Sequence, residues 1–256
     1  TALGLALGVA ASLPSLAYEP TTSSTAPTPR SKVPYSPYVG TSYPTRPYFG
    51  DTHLHTAFSM DAGAFGARLG PPEAYHFAKG NEVSSNTGQA VRLSRPLDFL
   101  VVADHAENIG LAPLLSAKDP TLMATDFGKA LRARLDAGDP AGAWKVWSDG
   151  KASVKDPVAA PSEIYTTAWS KVTELAEKHN EPGVFTAIAG REWSSHKENR
   201  NPHRVVFSAA PAGQLRRFFP YSNLDSERPE DLWAWLDKTS REIGADFVAI
   251  PHNSNM

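Results

Sequence analysis

Three short polar strings, Asp51-Thr52-His53-Leu54-His55, Ala103-Asp104-His105 and Gly190-Arg191-Glu192-Trp193, each end or follow an apolar run. A fourth, Ile250-Pro251-His252-Asn253, stands in the same relation to the run before it, and His203 opens a further one. Imidazole and carboxylate groups are ligands for divalent ions, and α/β enzymes collect such groups at strand ends from distant parts of the chain. One such string is weak evidence; four in one chain predict a metal-dependent hydrolase.

Side chains two apart on a strand point the same way, so His53 and His55 can face one pocket and bind one ion. Asp51, two residues further back, is either a weak ligand or an outer acceptor that fixes a histidine tautomer. Asp61, within Ser59-Met60-Asp61-Ala62-Gly63, follows closely enough to fold back onto the same ion. Its competing reading is a turn aspartate before Ala-Gly. His105 reads as a ligand with Asp104 as its supporting neighbour, and Asp104 has an alternative role as a helix N-cap. Glu192 supplies a carboxylate able to bridge two ions. His203 and His252 complete the strand-end donors. Around Glu192 the stretch 191–204 carries Arg191, Lys197, Arg200 and Arg204. Arg191 or Arg204 can clamp a phosphate oxygen bidentately, whereas Lys197 and Arg200 read as solvated loop charges. His76 and His179 read as structural and His196 as a substrate contact at most. Among the six tryptophans, read mainly as core, Trp193 is singled out by its place beside Glu192.

The elements that must position these groups alternate in type. Residues 48–53 read as a first strand, and Pro71-Pro72-Glu73-Ala74-Tyr75-His76 opens a helix with proline in its first turn. Residues 97–103 form a continuous apolar run, the mark of a strand buried on both faces. Residues 121–137 and 162–179 have helical spacing. Strands follow over 183–192, 203–208 and 246–251, with a helix over 229–243 before the last. Alternating strands and helices predict an α/β fold with a mostly parallel sheet. The pattern alone leaves open sheet and barrel both available.

Composition narrows the class of partner. The chain of 256 residues has room for one large domain, with 41% hydrophobic and 20% charged residues. Twenty-five basic against twenty-seven acidic residues leave a formal charge of −2, so no overall basic field points to nucleic acid. With no cysteine, disulfides, thiolate zinc sites and cysteine nucleophiles are all excluded. Residues 2–13 are uncharged and apolar, followed by Ser15-Leu16-Ala17, which has the form of a signal-peptide core and cleavage site. The run falls short of the ~20 residues of a membrane span. A partial signal peptide over 1–17 is expected, and with it a periplasmic or secreted protein; a buried helix is the competing reading. Residues 18–47, rich in Pro, Ser and Thr, read as an extended linker.

Taken in order, these motifs resemble the polymerase-and-histidinol-phosphatase (PHP) superfamily, and within it the domain-of-unknown-function 3604 branch. The strings that carry the resemblance are Tyr48-Phe49-Gly50-Asp51-Thr52-His53-Leu54-His55-Thr56, Arg95-Pro96-Leu97-Asp98-Phe99-Leu100, Ala103-Asp104-His105-Ala106-Glu107, Pro202-His203-Arg204 and Ala249-Ile250-Pro251-His252-Asn253. The resemblance spans residues 48–256 and implies a distorted barrel of seven β/α units holding two or three divalent ions (Zn, Mn or Fe). It assigns His53, His55 and Glu192 to one ion, His105 with Asp61 to a second, and Glu192, His203 and His252 to a third. A late Asp-x-His pair of that superfamily has no counterpart before Met256, so the chain is expected to be a C-terminally truncated part of the domain. The function expected is hydrolysis of a small phosphate mono- or diester by metal-bound hydroxide, with Asp104, Arg191 and Arg204 assisting. Hydrolysis of a sulfate ester, lactone or cyclic amide, or metal binding without catalysis, are the alternatives.

Overall fold

The computed structural model describes residue 44 and residues 46–152, 163–196 and 202–252. The expected signal peptide, most of the expected linker, Lys197, Arg200 and Asn253 lie outside the described residues. The chain divides into two compact units, Thr1–Arg46 and Pro47–Met256, and every described strand and helix belongs to the second.

Its elements begin with β1 (Gly50–Leu54), α1 (Met60–Ala64), α2 (Pro71–Ala78), a small hairpin of β2 (Val83–Ser84) and β3 (Ala90–Val91), and β4 (Phe99–Val102). Five helices follow: α3 (Leu111–Ser116), α4 (Pro120–Ala124), α5 (Asp126–Asp136), α6 (Pro140–Ala152) and α7 (Glu163–His179). The remainder is β5 (Thr186–Trp193), β6 (Arg204–Ser208), α8 (Ala212–Leu215), α9 (Pro229–Ile243) and β7 (Val248–Pro251). The fold is a mixed α/β structure about a curled five-stranded sheet of order β1-β4-β5-β6-β7.

Strand β4 has only apolar side chains, and Leu100, Val101 and Val102 are buried as the apolar run requires. Its partners β1 and β5 are both parallel to it. Parallel neighbours need a long crossover, and α3 to α7 supply it between β4 and β5. Strand β6 departs from the expected parallel arrangement, pairing antiparallel with both β5 and β7. The short connection from Trp193 to Arg204 contains no described crossover helix, so the chain turns back beside the strand it has left. The helical stretch expected over 121–137 is two helices. Thr125 interrupts it by donating its hydroxyl to the Leu122 carbonyl and accepting from Gly128 N–H, which caps α5.

Gly190 sets how closely the central strands approach. A methyl group there would lie 2.5 Å from Val101 Cγ1 and 3.1 Å from the Val102 carbonyl oxygen. Replacing Gly190 by Ala should therefore force β5 from β4 and destabilise the protein by roughly 1–3 kcal/mol, read as a lowered denaturant midpoint. An unchanged midpoint would show that the strands can yield without cost.

Candidate metal centre

Register brings the candidate ligands to one side of the sheet. The parallel pairing of β4 with β5 runs from Phe99↔Thr186 to Val102↔Ala189 and continues to a bridge between His105 and Glu192. Partners in register share a face, so these two side chains project together. On the other side Arg204 is paired with both Trp193 and Pro251. The residues one step along, His203 and His252, therefore emerge on the face of Glu192. His53 and His55 arrive from the end of β1.

Glu192 stands at the centre, 1% exposed. Its Oε2 lies 2.9 Å from His53 Nε2, 2.6 Å from His55 Nε2 and 3.9 Å from His105 Nε2. Its Oε1 lies 2.6 Å from His203 Nδ1 and 3.0 Å from His252 Nε2. Asp61 joins the rim, 3.2 Å from His55 Nδ1 and 3.5 Å from His105 Nε2. Its other oxygen accepts from Ser59 Oγ and Ala62 N–H, which fixes the carboxylate. Three overlapping groups have ligand atoms within 4.8 Å of one another: His53, His55 and Glu192; His55, Asp61 and His105; His105, Glu192 and His203.

This donor set fits divalent ions. His53 Nε2 and His55 Nε2 are 3.0 Å apart and aim at the same carboxylate oxygen. Two imidazole lone pairs converging in that way repel unless protons or a cation lie between them. Imidazole with carboxylate suits Zn, Mn and Fe, and the two oxygens of Glu192 face separate imidazole groups, as a bridging carboxylate must.

In the absence of a cation, protons perform that task. Burial opposes charge on Glu192, but His203, His53 and His55 hold its carboxyl far below the usual range. Burial opposes charge on Asp61 too, and His105 and His55 overcome it in the same direction. His55 is disfavoured as a cation by burial, yet Asp61 and Glu192 raise it to about 9. His105 rises to about 10 against its own burial, through Asp61 and Glu107.

Two residues of this network are not singled out by the sequence motifs. Ser194 Oγ lies 2.6 Å from His105 Nδ1, and Glu107 Oε2 lies 3.5 Å from the same nitrogen. Glu107 Oε1 accepts from the N–H groups of Ser194 and Asn223. The pair holds the His105 ring so that Nε2 faces Asp61 and Glu192. Ser194 directly follows β5, two residues after Glu192, while Glu107 is brought back by the turn after His105, which no strand pattern announces.

Strand alternation separates the two arginines from the centre. Arg191 projects opposite to Glu192 and is 1% exposed, its guanidinium 4.9 Å from the Trp235 ring centre and 5.4 Å from that of Phe218. Burial lowers its pKa to about 9. Arg204 shares that opposite face, packing against Trp193 and Trp233 and donating to the carbonyls of Pro202 and His203. Neither guanidinium points into the cluster, which corrects the expected phosphate clamp. Asp104 is fully buried, accepting from Thr56 N–H at 2.5 Å and Thr56 Oγ1 at 2.8 Å, and burial raises its pKa to about 6. It ties the end of β4 to the loop after β1 rather than supporting His105, and the next described helix, α3, begins only at Leu111. Asp51 accepts from the His53 backbone N–H, so it shapes the strand end rather than an imidazole. Trp193 is core, wholly buried with Val206, Leu232 and Leu236. His196 is exposed beside His203, their ring centres 5.5 Å apart. His76 and His179 lie on α2 and α7, away from these contacts, and His179 stacks on Tyr75.

A family described as "Protein of unknown function (DUF3604)" matches residues 42–256, a span that contains every group of the cluster. The chain belongs to this family. No curated protein and no solved structure matches it.

Two outcomes are expected of this DUF3604 protein. Glu107→Gln should weaken divalent-ion binding about 10- to 100-fold while leaving the first ligands intact, measured by competition with a chromogenic chelator; unaltered affinity would remove Glu107 from the support of His105. In chelator-treated protein, His55 and His105 hold protons to higher pH than in the unfolded chain. Their stabilisation is complete below about pH 6.5 and is lost as pH rises through about 9 to 10. Asp61 and Glu192 act with the opposite sign, their contribution being present above the ordinary carboxylate range and lost on acidification. The melting temperature of the chelated protein should thus fall between about pH 7 and pH 10, and a saturating divalent ion should reduce that fall; a flat profile in both samples would contradict the pairing.

Proposed function

We propose that this protein is an exported metal-dependent phosphoesterase, hydrolysing phosphate mono- or diesters of a small anionic substrate at a centre of two or three divalent ions. The observation that carries the reading is the position of Glu192, whose two oxygens face separate sets of imidazoles drawn from both sides of the sheet. Support for a PHP-type barrel comes from the ordered motifs and from the ligands standing at the ends of β1, β4, β5 and β7. On that reading the curled sheet is part of a distorted seven-unit barrel, with β6 a departure from its repeating plan. Export is supported by the apolar run of residues 2–13. Among the described residues no helix is long and apolar enough to cross a membrane.

In this site His53, His55 and Glu192 would hold one ion, His105 with Asp61 a second, and Glu192, His203 and His252 a third. Bound ions would supply water that ionises near neutral pH and would neutralise charge on the phosphoryl oxygens. The chain's own contribution is to place and orient. Glu192 joins the imidazole groups, Asp61 couples His55 to His105, and Ser194 with Glu107 holds the His105 ring. Asp104 fixes the loop that carries Thr56 toward Asp61.

The orientation of Arg191 and Arg204 also favours a second reading. A centre without those guanidiniums suits an uncharged electrophile, such as a lactone or cyclic amide, as well as it suits a phosphate.

Both readings are tested by elemental analysis together with turnover of bis(4-nitrophenyl) phosphate, 4-nitrophenyl phosphate and a lactone panel. Glu192→Ala should lower bound divalent ion and reduce turnover by roughly 10³-fold or more, about 4 kcal/mol of transition-state stabilisation. Wild-type metal content and turnover in this variant would overturn the proposal. Lactone turnover without phosphate turnover would select the second reading, and tight metal binding without any turnover a non-catalytic role.

A further inference from the structure

One helical turn after Asp61 stands Phe65, whose backbone N–H donates to the Asp61 carbonyl at 2.9 Å. The two residues thus share one face of α1 and its C-terminal cap. Residues four apart on a helix lie one above the other, so Phe65 stands on the side of α1 that carries Asp61. At 77% exposure Phe65 is the most exposed large hydrophobic side chain among the described residues.

The ring is not an isolated surface residue. It stacks on Trp144 of α6, with ring centres 6.2 Å apart and planes 24° apart, and Trp144 is itself 39% exposed. Trp144 packs at 4.7 Å on Trp147, which is buried and donates through Nε1 to Asn108 Oδ1. Asn108 in turn donates to the Tyr165 hydroxyl. A row of rings therefore runs from the core to solvent, fixed at its inner end by hydrogen bonds and open at Phe65, one helical turn after Asp61.

We infer that the open face of Phe65, backed by Trp144, is a subsite for a planar aromatic group carried on the leaving side of the substrate. The inference rests on the reading of the centre as hydrolytic. A fixed aromatic face offers offset stacking to a flat ring at little entropic cost, a gain beyond area burial alone. A methyl ester would reach the ions without touching it.

The test compares 4-nitrophenyl phosphate with methyl phosphate in the wild type, Phe65→Ala and Phe65→Tyr. Phe65→Ala should raise KM for the aryl ester roughly 3- to 10-fold with little change in kcat, leave KM for methyl phosphate and the metal content as they were, and be rescued by Phe65→Tyr. Equal aryl KM in Phe65→Ala and wild type, or equal rises for both esters, would overturn it. Equilibrium binding of 4-nitrophenyl phosphate, followed by quenching of tryptophan fluorescence, separates the two failures. If the wild type turns over no ester, the hydrolytic reading fails, while weaker quenching in Phe65→Ala would still uphold the aromatic subsite. Concentration-dependent self-association that vanishes in Phe65→Ala, with aryl binding intact, would assign the rings to a second copy of the chain and overturn the inference.

Discussion

A buried carboxylate surrounded by imidazoles is the constraint on which this structure turns. Taking an ionised carboxylate out of water costs several kcal/mol unless opposite charge and hydrogen bonds replace the lost solvent. Glu192 is supplied from both flanks. It lies on β5, the middle strand of five, so its neighbours on one side, β4 and β1, lead to His105, His53 and His55. Its neighbours on the other side, β6 and β7, lead to His203 and His252. The division of the sheet about β5 is repeated in the two oxygens of one side chain, Oε2 facing the first set and Oε1 the second. A slip of one residue in any pairing would turn a ligand to the other face. Sheet register and site geometry are therefore a single specification.

The reversed strand β6 belongs to that specification. Ligands on strands running in the common direction stand at or beyond the C-terminal ends, as His55, His105, Glu192 and His252 do. A strand running the other way presents its beginning at that edge, and His203 directly precedes Arg204, the first residue of β6. The antiparallel strand thus reaches the same cluster by its opposite end. Tight packing at Gly190 keeps the central strands close enough for this to hold.

Much of the site is legible in the sequence because metal ligands are rare residue types at recognisable places. Seven separated donors, His53, His55, Asp61, His105, Glu192, His203 and His252, do meet around one another. The fold is legible where hydrophobic pattern decides it: the buried run of β4, and α9 with its proline at the start and Gly244 beyond its end. Other features depend on information that no local pattern contains. The direction of β6 is set by the connection before it, and the break at Thr125 by side-chain bonds competing with a continuous helix. Arg191, Arg204 and Asp104 fall outside the cluster because adjacency in sequence is not adjacency in space. On a strand the neighbour of a ligand points away from it. Ser194 joins the cluster for the complementary reason, two residues beyond Glu192, and Glu107 joins it through the turn that follows His105.

With both guanidiniums turned away, the sign of the site would depend on the ions proposed for it. Glu192, Asp61 and Glu107 bring three negative charges and neutral imidazoles bring none, so two divalent ions would leave these groups with a net positive charge. On the proposed reading attraction for an anionic group would need no arginine, but it would also be indifferent among anions. If the site is hydrolytic as proposed, discrimination between one ester and another would come from side chains beyond the candidate ligands. Among the described residues His196, exposed beside His203, and Phe65, exposed one helical turn after Asp61, follow from different members of the candidate ligand set. One offers a polar ring and the other an apolar face, so on the proposed reading the part of a substrate that the ions leave free would be where this protein distinguishes its ligands.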